Sequence, residues 1–148
     1  MTLEEKINQD LKTAMKAQDK GTLRAVRAIK SAILLLKTDG SGEELTPDRE
    51  IQMLQKLIKT RTDSLEIYRQ QGRSDLAFVE EEEIDVIRKY LPAQLDDAAL
   101  EEVVQGIINE TGASSMKDMG RVVGLANQRL AGQAEGARIA AATKRLLA

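Results

Sequence analysis

The sequence of 148 residues contains no cysteine, no histidine and no tryptophan. Disulfide bonds, zinc-thiolate sites, cysteine or histidine nucleophiles and imidazole general bases are therefore excluded. Aromatic residues make up only 2% of the chain, as Tyr68, Phe78 and Tyr90. These absences remove the side chains on which most familiar enzyme mechanisms depend.

Long apolar runs are also missing, since no stretch approaches the roughly 20 apolar residues of a membrane span. The first residues, MTLEEKINQDL, are acidic and amphipathic, unlike the basic start and apolar core of a signal peptide. We therefore expect a cytoplasmic protein with no membrane partner. Leu, Ile, Ala, Lys, Glu and Gln dominate what is present, and this mixture of helix formers predicts an all-α fold.

The net charge of −2 is the sum of opposed blocks along the chain. Residues 1–40 carry +3 and residues 41–74 carry no net charge. Residues 75–110 carry −9, whereas residues 111–148 carry +4. The basic end of the chain is the part whose charge suits a polyanionic partner.

Two helices are predicted before residue 38. Thr2 and Glu5 form a capping box at the start of helix one, which runs to about Ala17. Helix two, about Thr22 to Lys37, is apolar around most of its circumference and is expected to be the most buried. Residues 38–45 are polar and glycine-rich, which predicts a flexible loop.

A helical hairpin is predicted next. Helix three begins at Thr46-Pro47, an N-cap followed by proline at the first helical position, and ends at Gly72. Ser74 is expected to cap helix four, which stops at Pro92 because proline lacks a donor and restricts its predecessor. The two seams are Ile51, Leu54, Ile58, Arg61, Leu65 and Tyr68 on helix three and Leu76, Val79, Glu83, Ile87 and Leu91 on helix four.

One charged residue occupies each seam of this hairpin. Arg61 and Glu83 lie about 11 residues on either side of Gly72. An antiparallel turn centred there predicts that they meet as a partly buried ion pair. The alternative is that Arg61 extends its long stem to place the guanidinium group in solvent.

Three further helices follow the proline. Asp96 or Asp97 caps helix five, which ends at Gly112. Helix six is predicted from about Ser115 to Ala131, and helix seven from about Glu135 to Leu147.

The glycines of this C-terminal part have structural explanations. Gly120 and Gly124 share one face of helix six, where the absence of side chains permits a close approach of another helix. Gly132 is expected to supply the left-handed turn between helices six and seven.

Two stretches of the sequence carry a family resemblance. Residues 68–95 combine Gly72-Arg73, Asp75-Leu76-Ala77, an acidic run and Tyr90-Leu91-Pro92-Ala93-Gln94-Leu95. Residues 119–147 combine spaced glycines, a glycine turn and a final helix. Both stretches resemble the YqeY family, small bacterial proteins whose C-terminal half is similar to the tail domain of GatB.

This resemblance implies two domains joined at Leu91-Pro92: a four-helix N-terminal domain over 1–92 and a three-helix, GatB-tail-like domain over 95–148. Because the tail domain contacts tRNA in GatB-containing amidotransferases, the resemblance implies that tRNA or another structured RNA binds the C-terminal domain. The candidate contacts are its basic residues, Lys117, Arg121, Arg129, Arg138, Lys144 and Arg145. Backbone donors near Gln133 to Ala137 are expected to add to a phosphate site.

The alternative is that these six side chains are ordinary solvated residues, since the domain has no aromatic residue to stack on a base. The sequence also departs from the family pattern at three positions. Gln133 stands where a basic residue is common, Glu135 where Asp or Asn is common, and Asn127 where proline is frequent. The loss of a positive charge at 133 weakens the case for RNA.

Two other charged clusters are candidates for function. Glu80 to Glu83 with Asp85 suggests a metal site, but consecutive glutamates point around a helix, so a solvated face is favoured and no metal is expected. Lys20, Arg24 and Arg27, flanked by Lys30, form a basic stripe on helix two. This stripe faces a polyanion or a protein, or it covers the solvent side and pairs with the acidic block of 75–85.

The name of the related protein is associated with glutamine-dependent carbon-nitrogen ligation, yet the required parts are missing. There is no glycine-rich phosphate loop, no Ser-x-x-Lys motif and no nucleophile elbow. An accessory or binding role without cofactor is therefore expected. The competing hypotheses are a protein-interaction adaptor, and ligase activity with glutamine as the amide donor only when a partner subunit provides the active site.

Overall fold

The computed structural model describes residues 1–40 and 44–148. Within these ranges the chain forms seven α-helices, one 3-10 turn at Met116–Asp118 and no strand, which confirms the all-helical prediction. The helices are α1 (Leu3–Ala17), α2 (Lys20–Lys37), α3 (Pro47–Gln70), α4 (Ser74–Arg88), α5 (Asp97–Thr111), α6 (Met119–Leu130) and α7 (Gly136–Leu147). Residues 41–43 of the predicted flexible loop lie outside the described ranges.

The chain divides into two compact units, Met1–Leu91 and Pro92–Ala148. In the first unit, α2 packs against α1, α3 and α4, and α3 pairs with α4. In the second unit, α5, α6 and α7 each pack against the other two. Each unit buries its own apolar cluster, built around Ile7, Ile29, Leu54 and Ile87 in the first and around Leu100, Ile107, Val122 and Ile139 in the second.

Side-chain caps begin several helices where the sequence predicts them. Thr2 and Glu5 form the reciprocal capping box of α1. The Thr46 hydroxyl accepts from the Arg49 amide at the start of α3, and Asp96 accepts from the Ala99 amide at the start of α5. These contacts satisfy amides that have no partner within the helix, which fixes the first turn.

Three helix ends differ from the sequence prediction. Asp19 caps α2, so the helix begins at Lys20 and includes Gly21 instead of leaving it in a turn. Ser74 is the first residue of α4 and not its cap; the N-cap is Arg73, whose guanidinium group binds Asp75. Helix α4 ends at Arg88, before Pro92, because its last turn tightens into bonds between residues three apart.

The hairpin of α3 and α4 places Arg61 Nε 3.2 Å from Glu83 Oε2. Their side chains are only 16% and 14% exposed, so this is the partly buried pair that the spacing about Gly72 predicts. Arg61 also donates to the Leu57 carbonyl, and Arg24 of α2 approaches the second oxygen of Glu83 at 3.7 Å. Glu83 therefore joins three helices through one carboxylate.

The apolar face of α4 is turned from the predicted one. Ile87 and Leu91 of the predicted face are buried, but Leu76 and Val79 remain partly exposed, and Ala77 and Ile84 are buried in their place. The shift arises because α4 contacts two helices, α2 and α3, and not one. Phe78 lies outside both the predicted and the observed face, and its side chain is 62% exposed.

The prediction that Gly120 and Gly124 permit a close helix approach is wrong. Both are exposed, and a Cβ built on either would meet no atom within 4 Å. A neighbour does lie closely against Gly21, where an added Cβ would clash with the side chain of Glu82 from α4. Gly132 has the expected positive φ of 87°, but Ala131 before it is also left-handed, so two residues make the turn.

We expect Glu83→Ala to lower the free energy of unfolding by about 2 kcal/mol. The substitution leaves the partly buried guanidinium group of Arg61 without its carboxylate partner. Urea unfolding measures the change. Asp63→Ala is the matched control, since Asp63 forms an exposed pair with Lys59 on α3 and its loss should cost less than about 0.5 kcal/mol. Equal losses in the two variants would contradict a structural role for the Glu83 pair.

Two glycine variants should change stability in opposite directions. Gly124→Ala should raise the free energy of unfolding by about 0.5 to 1 kcal/mol, because Gly124 is an exposed helical position with open space around it. Gly112→Ala should lower it by about 1 kcal/mol, because Gly112 ends α5 at a φ of 69°. Thermal unfolding followed by circular dichroism distinguishes them, and a destabilised Gly124→Ala would indicate a packing role for that glycine.

Candidate nucleic-acid interface

The six predicted RNA contacts all lie in the second unit, and five of them are exposed. Lys117 belongs to the 3-10 turn, Arg121 and Arg129 to α6, and the others to α7. Arg138 is partly buried because it reaches across to the segment before α5. The positions therefore span one short turn and two helices.

Four of these side chains are engaged in ion pairs. Arg121 lies 3.3 Å from Asp118 and 3.4 Å from the carbonyl of Thr111, at the end of α5. The remaining three arginines pair with carboxylates of α5, as Arg129 with Glu110, Arg138 with Asp97 at 2.9 Å, and Arg145 with Glu101. The arginines of the predicted binding face thus also form the ion pairs that connect α6 and α7 to α5.

The arrangement follows from helix geometry. Asp97 and Glu101 lie one turn apart on α5, and Arg138 and Arg145 lie two turns apart on α7, so each pair of charges shares a face. Arg129 reaches Glu110 near the other end of α5, about 20 Å from Asp97 at 1.5 Å per residue. The arginines therefore extend along the length of α5 and do not converge on one point.

Arg138 has a further structural role. One of its nitrogens donates to the Leu95 carbonyl at 2.8 Å as well as to Asp97. The Leu95 amide in turn donates to the Gln133 carbonyl, and the Gln94 side chain donates to the Gly132 carbonyl, both at 2.8 Å. These bonds fix the segment before α5 to the turn between α6 and α7.

Two of the predicted contacts lack such partners. Among the described residues, Lys117 and Lys144 form no ion pair, and both are exposed. The first residues of α7, Gly136 and Ala137, are exposed as well, and the Glu135 side chain makes no capping bond to them. Their amides lie in the first turn of α7, at the positive end of the helix dipole.

The second unit as a whole has no excess of positive charge. Residues 92–148 contain six basic and seven acidic side chains, a net charge of −1. The +4 counted over 111–148 omits α5, whose acidic residues lie beside the arginines. Attraction of a polyanion to this unit would depend on local contacts and not on a long-range field.

The acidic run of α4 is likewise occupied by partners. Glu81 pairs with Arg69, Glu82 with Arg24 at 2.8 Å, and Glu83 with Arg61. Burial and, after it, the repulsion of Glu83 raise the pKa of Glu80, while the attraction of Arg61 opposes them. Over residues 1–40 and 44–148, no three acidic side chains are grouped to hold a metal ion.

Sequence patterns did not indicate the bond that joins Tyr90 to α1. The Tyr90 hydroxyl donates to Asp10, and the Lys6 ammonium lies 5.3 Å from the centre of the Tyr90 ring. Burial, followed by the bond to Asp10, raises the pKa of Tyr90 above its ordinary value. The only sequence pattern that bears on this contact is the spacing of Lys6 and Asp10, which lie one helical turn apart on the same face of α1.

The Arg129–Glu110 pair predicts a measurable titration. The Arg129 guanidinium holds the pKa of Glu110 below its ordinary 4.5. Stability from this carboxylate is therefore present above pH 4.5 and lost as pH falls through the lower folded-state pKa. We expect a carboxyl-carbon NMR titration to give a Glu110 midpoint that rises towards 4.5 in Arg129→Gln. An unchanged midpoint would show that the pair does not form in solution.

Comparison with known proteins gives the family. The profile described as Yqey-like protein matches residues 4–147. "Altered inheritance of mitochondria protein 41, mitochondrial" from Lachancea thermotolerans is 35% identical over 103 residues, which cover 70% of this chain and 54% of that protein. The protein of the same name from Clavispora lusitaniae is 34% identical over 108 residues, which cover 71% and 62%.

The chain thus spans a little over half the length of these curated relatives, whose names describe them as mitochondrial. No helix in residues 1–40 and 44–148 is both long and apolar enough to cross a membrane. The family profile extends over nearly all of the sequence, including both stretches that carry the resemblance. This chain therefore belongs to the YqeY family.

Proposed function

We propose that this protein is a non-catalytic accessory protein that binds tRNA or another structured RNA and is linked to tRNA-dependent amidotransferase systems. The observation that carries the proposal is the row of arginines along α5, with Arg121, Arg129 and Arg145 about half exposed. Lys117 and Lys144 add exposed charges without ion pairs among the described residues. A cytoplasmic location and independently folding domains over 1–92 and 95–148 belong to the same proposal.

The ion pairs of these arginines do not prevent contact with phosphates. Exposed pairs contribute only about 0 to 1 kcal/mol each, because water screens them and the side chains lose rotational freedom. A guanidinium group has five donors, so Arg129 can retain a bond to Glu110 and still meet a phosphate oxygen. The acidic partners nevertheless weaken the attraction, and we expect affinity that falls steeply with salt.

Glutamine-dependent ligase chemistry remains a proposal that requires a partner subunit. The chain has no cysteine to serve as a nucleophile for glutamine hydrolysis. It also has no glycine-rich loop that would cradle the phosphates of ATP. A binding role therefore accounts for more of the described side chains than a catalytic one does.

A protein-interaction adaptor is the second candidate function, and one observation favours it. The large apolar side chains that the first unit exposes include Leu34, Leu35 and Phe78, with exposed fractions of 61%, 70% and 62%. Phe78 lines a shallow groove at the turn between α3 and α4, beside Arg69 and Glu81. Contiguous exposed apolar groups are typical of surfaces that bind another protein, and Leu34 and Leu35 are adjacent near the end of α2.

The RNA proposal is tested by changing each side of two ion pairs in the full-length chain. Arg129→Gln with Arg145→Gln should weaken binding to bulk tRNA at least about fivefold at low salt, because two phosphate contacts are lost. Glu101→Gln with Glu110→Gln should strengthen binding, because the same arginines are released from their carboxylates. Fluorescence anisotropy at two salt concentrations measures both.

A different result is expected if the ion pairs only stabilise the fold and do not affect RNA binding. Both double variants would then lose stability to a similar extent, and neither would alter affinity for tRNA. That result, with circular dichroism showing retained helices, would overturn the assignment of RNA binding to these arginines. Capture of a specific protein by Leu34 and Phe78 would then become the leading hypothesis.

A further inference from the structure

The hairpin of α1 and α2 has the opposite charge balance to the second unit. Residues 1–37 contain eight basic and four acidic side chains, a net charge of +4. Every acidic side chain in this range is already engaged: Glu4 with Lys37, Glu5 with the Thr2 amide, Asp10 with the Tyr90 hydroxyl, and Asp19 with Thr22. Of these four acidic side chains, only Glu4 forms an ion pair with a cation of the hairpin.

Most of the hairpin's cations are left without a partner. Lys6 lies over the Tyr90 ring, Arg24 binds Glu82 and Glu83, and Lys37 binds Glu4. The other five have no hydrogen bond or ion pair among the described residues, and all are exposed: Lys12, Lys16, Lys20, Arg27 and Lys30. The expectation that the stripe on α2 pairs with the acidic block is thus met only by Arg24.

The unpaired cations form a row. Lys20, Arg27 and Lys30 lie at i, i+7 and i+10 of α2, opposite the buried face of Ala25 and Ile29, and span about 15 Å of helix. Lys16 in the last turn of α1 precedes Lys20 by four residues, across the corner between the helices. Like charges at such spacing repel one another, and an anion beside them relieves the repulsion.

We propose that this face of α2, with Lys20, Arg27 and Lys30 as its contacts, binds the phosphate backbone of a double-helical segment of a structured RNA. The inference deepens the proposed RNA-binding function and rests on it. It assigns the main electrostatic contact to the first unit, which was not the part that the family resemblance implied.

The chemistry of the face favours a duplex over other anions. Residues 1–37 contain no aromatic side chain, so unpaired bases have nothing on which to stack, whereas a duplex is recognised through phosphates and shape. The apolar side of α2 that carries Ala25, Ile29 and Ile33 is buried in the core of the first unit, so the helix cannot insert that side into a membrane surface. The exposed apolar residues Leu34 and Leu35 lie at the other end of α2 from Lys20. Uncompensated lysine and arginine suit a dense row of phosphates.

The test compares three triple variants of the full-length chain, each removing three positive charges. Lys20→Gln/Arg27→Gln/Lys30→Gln removes the proposed contacts. Lys56→Gln/Lys59→Gln/Arg69→Gln is the matched control, since it removes two lysines and one arginine from exposed positions on α3 of the same unit. The third variant, Lys117→Gln/Arg129→Gln/Lys144→Gln, removes two lysines and one arginine from exposed positions in the second unit. The probes are bulk tRNA and an RNA duplex of about 20 base pairs.

We expect the α2 variant to lose at least about tenfold in affinity for both probes at about 50 mM salt. The slope of log affinity against log salt should become shallower by about 2.7, which corresponds to three lost phosphate contacts on a duplex at about 0.9 each. The α3 control, with the same change in net charge, should lose less than about threefold. Its unfolding midpoint and that of the α2 variant should stay close to the parent, because no buried group is altered.

Other outcomes overturn the inference in distinguishable ways. Equal loss in the α2 and α3 variants would show that only net charge matters, so no face is assigned. Loss confined to the second-unit variant would refute the inference and leave the proposed function intact. Binding of the parent to neither RNA probe would remove both, and α2-dependent binding to phosphatidylserine vesicles in that case would identify an anionic membrane surface as the occupant.

Discussion

Each unit of this protein is organised around one acidic helix whose carboxylates meet arginines from its neighbours. In the first unit α4 supplies Glu81, Glu82 and Glu83 to arginines of α2 and α3. In the second unit α5 supplies its acidic side chains to arginines of α6 and α7. The negative block over 75–110 therefore supplies the carboxylates that bind neighbouring helices in both units.

These ion pairs contribute specificity more than energy. Burial of aliphatic side chains such as Ile29, Leu54, Ile87 and Ile107 supplies the driving force in a chain with only 2% aromatic residues. Aliphatic helical faces are smooth and tolerate small rotations, whereas a guanidinium group must reach a particular carboxylate. Glu83 is the clearest case, because one carboxylate lies within reach of arginines from two helices and is shielded from solvent.

The features that sequence predicts well are those decided by residues close in the chain. The caps at Thr2, Thr46 and Asp96 depend on amides three residues away, and the Arg61–Glu83 pair depends on a turn of known centre. The exposure of Gly120 and Gly124 could not be read locally, because small residues are equally compatible with close packing and with open surface. The first half of the α4 face, at Leu76 and Val79, was also mispredicted, since it depends on two neighbouring helices.

The charge of the candidate sites was the hardest feature to infer, because what a partner meets is the charge left after folding. Counting along the chain gives residues 111–148 an excess of +4, but folding sets α5 carboxylates beside three of those arginines. Residues 1–40 have a smaller sequence excess of +3, yet their acidic groups are largely used in caps and in the bond to Tyr90. Acids used in this way sit at helix termini or inside the unit, while the lysines stay on the outer face. By net charge in the sequence, residues 111–148 are the more basic region. By the number of cations without a partner in the structure, residues 1–40 are, although their net charge is smaller.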